Sequence, residues 1–259
     1  MATLLRRLGN KSKIAKDVQA HFPRHKQYIE LFFGAGGMFF NKPKAKYNIV
    51  NDMDSEVYNL FCVVKDNKSD LIEYIKRMPI HADLWEYWKK NTETEPVLRA
   101  VRFLFLSNFG YMGKPETLRI GANNTAQILL DSINETFDYL FQVYFTNVDF
   151  RGFFRLVSFK DDNEKEDTLV YSDSPYVDTD NNYGELTGIK WTEEDCFDLY
   201  NVLEGCGCKF AMSEFDHPFV ISEAKRRGLN VITIGERVNM KNRRTEILVT
   251  NYKNHPTLF

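Results

Sequence analysis

The chain has 259 residues, of which 43% are hydrophobic and 27% are charged, and its formal net charge is −2. This length suits one large domain or a domain with an insertion, and the charge balance excludes a uniformly basic protein that coats nucleic acid. No apolar run approaches the ~20 residues of a membrane-spanning helix, and the first residues lack the apolar stretch of a signal peptide. We therefore expect a soluble, cytoplasmic protein. The four cysteines show no CxxC spacing, so no metal site is predicted.

Two strand-to-helix units open the chain. QYIELFFGAGGMFF, residues 27–40, is an apolar run that ends in a glycine cluster, which is typical of a buried parallel strand entering a helix. KYNIVNDMDSEVYNLFCVVK, residues 46–65, repeats the pattern with a carboxylate at the strand end and a helix beginning near Asp54 or Ser55. Such alternation predicts a parallel sheet.

The interval 69–142 interrupts this alternation. Leu, Ile, Trp and Phe recur at helical spacing over 69–78, 82–90 and 97–107, and the chain then turns irregular at SNFGYMGKPETLRIGANNTAQ, residues 107–127. We interpret 69–142 as an insertion beside the sheet, which leaves 1–68 and 143–259 as the main domain.

Strand patterns resume after the insertion. They are QVYFTNVDF, TLVYSDS, CKFAMSE, NVITIGE and EILVTNY, with helical stretches near 193–204 and 217–227. The last two strands are joined by the basic segment RVNMKNRR, which favours an antiparallel hairpin at the sheet edge. The sequence therefore predicts an α/β protein: a Rossmann-like doubly wound sheet with an antiparallel edge hairpin and a mainly helical insertion.

The glycine cluster and the next strand end suggest a nucleoside site. Gly34, Gly36 and Gly37 allow a backbone to approach a ligand closely, and Asp52 stands where a carboxylate in this architecture takes ribose hydroxyls. Position 39 is Phe, so the full GxGxxG pattern of a pyrophosphate site is lacking. Adenosine joined to something other than phosphate fits better. A ligand-free turn and a helix-capping Asp52 are the alternatives, although Asp54 and Ser55 are available as caps.

A second candidate site is the tetrapeptide Asp173-Ser174-Pro175-Tyr176, which follows a buried strand pattern. Ser174 precedes a proline and is pushed toward extended backbone, which leaves its carbonyl available to an outside donor. The Asp173 carboxylate and this carbonyl can together bind an –NH₂ group, and Tyr176 can stack on the ring that carries it. An ordinary turn at a strand end is the alternative.

Seven segments, in this order, resemble the Dam-like N6-adenine DNA methyltransferases, the alpha group of that enzyme class. They are Gly-Asn-Lys at 9–11, ELFFGAGG at 30–37, VND at 50–52, TNVDF at 146–150, DSPY at 173–176, KFAMSE at 209–214 and TEILVTNY at 245–252. The resemblance covers nearly the whole chain, and this order is far more specific than any single motif. It implies that 69–142 is the target-recognition module and that the rest binds S-adenosylmethionine.

The resemblance also implies roles for individual residues. Those expected around the cofactor are Arg7, Asn10, Lys11, Phe32, Gly34, Gly36, Asp52, Asp149 and Asp173. Asp173 is expected to touch the target base as well. The chain departs from the family twice: Ser174 replaces the first proline of DPPY, and Arg7 replaces an aromatic residue. The first change keeps the carbonyl but lowers its rigidity, and the second removes a stacking surface.

A DNA-binding role is predicted for amide and basic side chains. They are Asn108, Lys114, Arg119, Asn123 and Asn124 in the insertion, and Lys241, Arg243 and Arg244 near the hairpin loop. Basic residues crowd the first 26 positions and the stretch 226–244, and two interpretations stay open: they face phosphate together, or they only solvate the surface. The longer pattern of GATC-reading members is not reproduced, so no recognition sequence follows.

The resemblance implies methyl transfer to N6 of a flipped adenine in double-stranded DNA. We expect a bacterial or phage-encoded monomer or weak dimer, acting alone or with a cognate restriction endonuclease. An N4-cytosine methyltransferase is one alternative, because the same pair of acceptors suits that amine. A DNA-binding relative without turnover is the other. C5 methylation of cytosine is disfavoured, because no cysteine follows a proline.

Overall fold

The computed structural model describes residues 4–6, 10–110, 116–119, 121, 124–178, 191–238 and 243–253. Within these ranges seven strands form one sheet. The strands are β1 Gln27–Glu30, β2 Tyr47–Asn51, β3 Val143–Thr146, β4 Thr168–Ser172, β5 Lys209–Phe215, β6 Asn230–Val238 and β7 Arg243–Thr250.

Ten α-helices lie within the same described ranges. They are α1 Ala15–Gln19, α2 Ser55–Asp66, α3 Lys68–Arg77, α4 Ala82–Lys90, α5 Pro96–Phe109, α6 Thr125–Tyr139, α7 Phe150–Phe153, α8 Asp162–Glu166, α9 Glu193–Gly205 and α10 Pro218–Arg226. None of them is both long and apolar enough to cross a bilayer.

The sheet confirms the predicted fold class. Its order is β3-β2-β1-β4-β5-β7-β6. The pairs β1–β2, β1–β4 and β4–β5 are parallel, whereas β7 pairs antiparallel with both β5 and β6. The strand order reverses between β1 and β4, so their carboxyl ends flank the topological switch point at which Rossmann-like sheets bind ligands. The predicted edge hairpin is β6–β7, with β7 on its inner side.

Local sequence signals explain most element boundaries. Every residue of β1 and of β4 is buried, including polar residues such as Gln27 and Glu30, as expected for parallel strands that are covered on both faces. Asp54 caps α2 by accepting from the Glu56 N–H, and Thr192 and Asp195 form a capping box at α9.

Two elements differ from the sequence prediction. The strand predicted over 142–150 ends at Thr146, because Asp149 caps a short helix, α7. Helix α6, Thr125–Tyr139, was not among the predicted helices, and it begins inside the stretch interpreted as irregular.

The chain forms two compact units. The first consists of Met1–Lys13, Gly34–Lys42 and Asp52–Asn147, and the second of Ile14–Phe33, Pro43–Asn51 and Val148–Phe259. In the first unit Trp85 and Trp88 pack edge-on against Phe105, with ring centroids 5.4 and 5.3 Å away. The predicted insertion 69–142 belongs to this unit, and its target-recognition role stays a prediction.

Candidate active site

Asp52 and the glycine loop meet within the first unit. Gly34 and Gly36 have φ of 53° and 68°, a left-handed conformation that favours glycine. The Gly34 N–H donates to Oδ2 of Asp52 at 2.5 Å, and the Asp54 N–H donates to Oδ1 at 2.9 Å. Because Asp54 caps α2, Asp52 is not the cap, and its carboxylate is fixed by backbone donors beside the loop.

The segment around Asn10 and Lys11 crosses the same loop. A Cβ on Gly37 would lie 1.9 Å from Oδ1 of Asn10 and 2.9 Å from the Lys11 nitrogen, so only glycine allows this approach. Oδ1 of Asn10 also accepts from the Ser12 N–H at 2.9 Å. Lys11 is buried. The structure thus brings Asn10, Lys11, the glycine loop and Asp52 together, whereas Arg7 lies outside the described residues.

Asn51 joins the backbone around two further candidate residues in the second unit. Its side-chain Nδ2 donates to the carbonyls of Leu31 and Val148, both at 3.0 Å, and its Oδ1 accepts from the Val148 N–H at 3.2 Å. Leu31 precedes Phe32, and Val148 precedes Asp149. The buried Asn51 amide therefore positions both candidates through their neighbours. Its only sequence signal is its place directly before Asp52.

Phe32 belongs to an aromatic cluster in that unit. Its ring centroid lies 5.5 Å from that of Phe150 and 5.6 Å from that of Trp191, and the Phe150 and Trp191 rings are also 5.6 Å apart. No sequence motif pointed to Trp191. The rings are inclined to one another by 43°, 87° and 47°, and Phe150 and Trp191 are buried, so the cluster packs around Phe32 and fixes its position.

Asp149 caps α7 by accepting from the Arg151 N–H at 2.8 Å. The Arg151 guanidinium also lies 3.3 Å from Oδ2 of Asp149, and it bonds to Asp195 and Asp198 at 2.6 Å each. The Asp149 side chain stays 45% exposed. An exposed ion pair of this kind contributes little stability, so the pairing leaves the carboxylate available to a ligand.

The tetrapeptide follows β4 in the second unit. Asp173 and Pro175 are half-buried, while Ser174 and Tyr176 are buried. The Tyr176 hydroxyl lies 2.6 Å from Oε1 of Glu246 and 3.1 Å from Oδ1 of Asp173. Its ring packs edge-on against Phe215, with centroids 4.6 Å apart. The stacking role of Tyr176 stays a prediction, and the structure adds a hydrogen-bonding role for its hydroxyl.

Two buried acids lie near this hydroxyl. Glu214 and Glu246 each have an exposure of only 1%, and the charges of both act on Tyr176. Burial, reinforced by the carboxylates of Asp173 and Glu246, raises the pKa of Tyr176 well above its usual value. Tyr176 therefore keeps its proton at neutral pH and acts as a donor. Glu214 and Glu246 belong to two of the segments that carry the resemblance, KFAMSE and TEILVTNY, but the sequence predicted no role for either.

The chain just beyond the tetrapeptide is held by side chains from two other elements. Asp178 has a φ of 53°, an unusual value for a residue other than glycine. Nε2 of His217 lies 3.2 Å from Oδ2 of Asp178, and the Arg244 guanidinium donates to the Asp178 carbonyl at 3.4 Å. Arg244 also lies over the Phe215 ring at 5.4 Å. Arg244 thus braces the chain just beyond the tetrapeptide, a role that its predicted contact with DNA did not include.

The residues predicted to contact DNA are placed in different ways. Asn108 is 5% exposed, and its amide donates to the carbonyls of Leu4 and Leu104 at 3.0 and 3.1 Å. A buried amide engaged in this way is not presented to a base edge, so we no longer count Asn108 as a DNA contact. Arg119 and Asn124 are exposed, and Arg243 begins β7. Lys114, Asn123 and Lys241 lie outside the described residues.

The sequence of this chain is similar to those of known DNA methyltransferases. A family model described as D12 class N6 adenine-specific DNA methyltransferase matches residues 8–250. The DNA adenine methylase of Haemophilus influenzae is 30% identical over 184 residues, which are 65% of this chain and 62% of that protein. The DNA adenine methylase of Escherichia coli K12 is 25% identical over 178 residues, or 65% of this chain and 63% of that protein. The matches thus span slightly under two thirds of each relative.

Among solved structures, an rRNA methyltransferase from Streptomyces viridochromogenes aligns with this chain. The alignment covers 96% of this chain and 86% of the chain of that methyltransferase. The TM-score of this alignment is 0.41 and the sequence identity is 12%.

Proposed function

Because the chain belongs to the D12 class of N6 adenine-specific DNA methyltransferases, we propose that it transfers a methyl group from S-adenosylmethionine to N6 of adenine in double-stranded DNA. The observation that carries the proposal is Asp173 directly after β4, at the switch point of the sheet. Asp173 opens a tetrapeptide that can present a side-chain acceptor and a main-chain acceptor to one amine.

The residues in place fit the cofactor. A Cβ on Gly34 would meet nothing within 4 Å, so this part of the loop borders open space beside the Asp52 carboxylate. Carboxylates at Asp52 and Asp149 suit a ligand that carries hydroxyl and amino donors, and they disfavour a pyrophosphate. Asn10, Lys11, Phe32 and Gly36 complete the proposed cofactor-binding set.

The proposed mechanism depends on the two acceptors of the tetrapeptide. The N6 lone pair of adenine is delocalised into the ring, which makes the amine a poor nucleophile. Asp173 and the Ser174 carbonyl accept its two N–H groups, so the nitrogen pyramidalises and its lone pair is directed out of the ring plane. When bound, S-adenosylmethionine supplies an electrophilic methyl group on a positively charged sulfur.

The amine is paired within a duplex, so we propose that the target base is flipped out of the helix. Flipping costs a few kcal/mol, and stacking on the Tyr176 ring offsets about 1–3 kcal/mol of it. Arg119, Asn124, Arg243 and Arg244, together with Lys114, Asn123 and Lys241, remain the proposed DNA contacts. Arg244 has the bracing role in addition.

We extend the proposal to the setting of the reaction. The relatives are bacterial DNA adenine methylases, which supports a bacterial or phage-encoded enzyme working in the cytoplasm. We propose that it works as a monomer or weak dimer, either alone or as the partner of a restriction endonuclease.

The experiment is methyl transfer from labelled S-adenosylmethionine to unmodified DNA of mixed sequence, followed by nucleoside analysis. We expect label in N6-methyldeoxyadenosine with the parent protein and none with Asp173→Ala. Label in N4-methyldeoxycytidine would favour the cytosine alternative. DNA binding without any label would identify a relative that has lost turnover.

A further inference from the structure

Among the described residues, two carboxylates lie within hydrogen-bonding distance of the Tyr176 hydroxyl, which has only one proton to donate. Its oxygen is 2.6 Å from Oε1 of Glu246, within the range of a short bond to a carboxylate, and 3.1 Å from Oδ1 of Asp173, beyond the usual range for a hydroxyl donor. The distances assign the proton to the Glu246 side. The Tyr176 proton then does not occupy Oδ1 of Asp173.

The fold holds Glu246 firmly in this place. Glu246 is on β7 and pairs across the antiparallel ladder with Phe215 of β5, whose ring packs edge-on against Tyr176. The same pair of strands therefore fixes both ends of the tyrosine, the ring through Phe215 and the hydroxyl through Glu246. Placing a carboxylate at 1% exposure is costly unless it is hydrogen-bonded, and groups of this kind concentrate at functional sites.

The other groups around Tyr176 favour the same assignment. Tyr171 and Glu214, together with Asp173 and Glu246, are the titratable neighbours that act on the pKa of Tyr176, and all of them raise it. The Tyr171 hydroxyl is bonded to Ser213 at 2.9 Å, and Glu214 accepts from the Phe215 N–H at 2.9 Å. Glu246 is thus the nearest strong acceptor for the Tyr176 proton.

We propose that Glu246 is a positioning residue for methyl transfer: it holds the Tyr176 proton and so keeps that proton away from Oδ1 of Asp173, the side chain proposed to accept from the substrate amine. This inference rests on the proposed function. Without Glu246, the Tyr176 hydroxyl turns to Asp173 and competes with the amine for Oδ1. Loss of Glu246 therefore lowers the methyl-transfer rate because the Tyr176 hydroxyl then competes for Asp173. Removing that hydroxyl as well should restore the rate.

The test compares the parent with Glu246→Leu, Glu246→Gln, Tyr176→Phe and the double variant Tyr176→Phe/Glu246→Leu. Single-turnover methyl transfer to DNA is measured at saturating cofactor, together with cofactor affinity and thermal stability. We expect methyl transfer by Glu246→Leu to be about tenfold slower than by the parent. A loss of this size is typical of one hydrogen bond that stabilises the transition state. Glu246→Gln keeps an acceptor and stays within about threefold of the parent. Cofactor affinity is expected to change little throughout.

The decisive result is the double variant. We expect Tyr176→Phe/Glu246→Leu to be faster than Glu246→Leu and similar to Tyr176→Phe, because no hydroxyl remains to compete for Asp173. In the cofactor-free protein, the ¹³Cζ NMR signal of Tyr176 should shift in Glu246→Leu and only slightly in Glu246→Gln. A structural role alone predicts a double variant at least as slow as Glu246→Leu, and that result overturns the inference.

The remaining outcomes are also informative. If Glu246→Leu does not fold, Glu246→Ala and the double variant Tyr176→Phe/Glu246→Ala take its place: a double variant faster than Glu246→Ala supports the inference, and one at least as slow overturns it. A parent that transfers no methyl group overturns the proposed function and this inference with it. An active parent with unaffected Glu246→Leu overturns the inference alone.

Discussion

Asp52 and Asp173 both follow the end of a parallel strand, but they are held in different ways. Backbone N–H groups of Gly34 and Asp54 fix the Asp52 carboxylate. Asp173 instead contacts a tyrosine hydroxyl that is shared with Glu246, a residue 73 positions further along the chain. A carboxylate that is held by backbone N–H groups keeps its position when neighbouring side chains are substituted. A carboxylate that is held by side chains can move when a residue far away in the sequence is substituted.

The largest effect is expected at Asp173. Asp173→Ala removes the proposed amine acceptor, so methyl transfer should fall by about 1000-fold or more, while cofactor affinity falls less than about tenfold. Single-turnover kinetics and calorimetry measure the two quantities. Asp162→Ala, at a side chain that is 95% exposed, is the matched control and should behave as the parent. Methylation within about tenfold of the parent would contradict the role of Asp173.

Asn51→Ala tests whether the Asn51 side chain, next to Asp52, anchors the backbone at Leu31 and Val148. The variant leaves the carbonyls of Leu31, which is buried, and Val148, which is half-buried, without the Asn51 amide, so the free energy of unfolding should fall by about 2–3 kcal/mol. Urea denaturation measures the change. Asn134→Ala, which removes an exposed bond within α6, should cost less than about 0.5 kcal/mol. Equal losses in both variants would refute the anchoring role.

Asp52→Asn tests the backbone-held carboxylate directly. The charge is lost, so we expect S-adenosylmethionine to bind about tenfold more weakly, with a smaller fall in the methyl-transfer rate at saturating cofactor. Asp54→Asn is the control, because asparagine also caps helices well and Asp54 has no proposed cofactor contact. Unchanged affinity in Asp52→Asn would remove this residue from the cofactor site.

Arg244→Ala and Arg243→Ala separate bracing from DNA contact. Arg244 lies over Phe215 and donates to the Asp178 carbonyl, so its loss should lower turnover at saturating DNA by about fivefold. Arg243→Ala should leave turnover unchanged and reduce the slope of log affinity against log salt by roughly one unit. If Arg244→Ala keeps full turnover, the bracing role is refuted, and an unchanged slope in Arg243→Ala excludes a phosphate contact there.

The smallest effects are expected at Ser174, which is proposed to act through its carbonyl. Ser174→Ala should retain activity within about twofold, and Ser174→Pro should be neutral or faster because the proline ring stiffens the segment. Steady-state methylation of the same DNA compares the three proteins. A loss of about tenfold or more in Ser174→Ala would show that the hydroxyl takes part.

Much of the fold was predictable because its signals are local. Buried parallel strands appear as short apolar runs, and helices begin at capping residues such as Asp54 and Thr192, so the order of strands and helices was confirmed. The strand-end positions of Asp52 and Asp173 were predictable for the same reason. The start of α6 was missed, because asparagine, glycine and threonine before it resemble a loop.

The surroundings of the candidate site were not predictable in this way. Asn108 has a side chain suited to base edges, but its amide binds core carbonyls because α5 turns it inward. Arg244 is in a basic stretch, yet it packs on Phe215 because β7 pairs with β5. A side chain's chemistry gives its possible partners, and only tertiary packing selects among them.

The sequence by itself determined the order of the elements, the glycine loop, the strand-end aspartates and the family resemblance, because each depends on residues close together in the chain. The tertiary structure alone decided that Asn51 anchors two strand ends and that Glu246 reaches the Tyr176 hydroxyl. Glu246 could not be identified earlier, because its place depends on β7 running antiparallel between β5 and β6. Strand pairing of this kind joins residues that are far apart in the sequence, so the local periodicity of the sequence does not predict it.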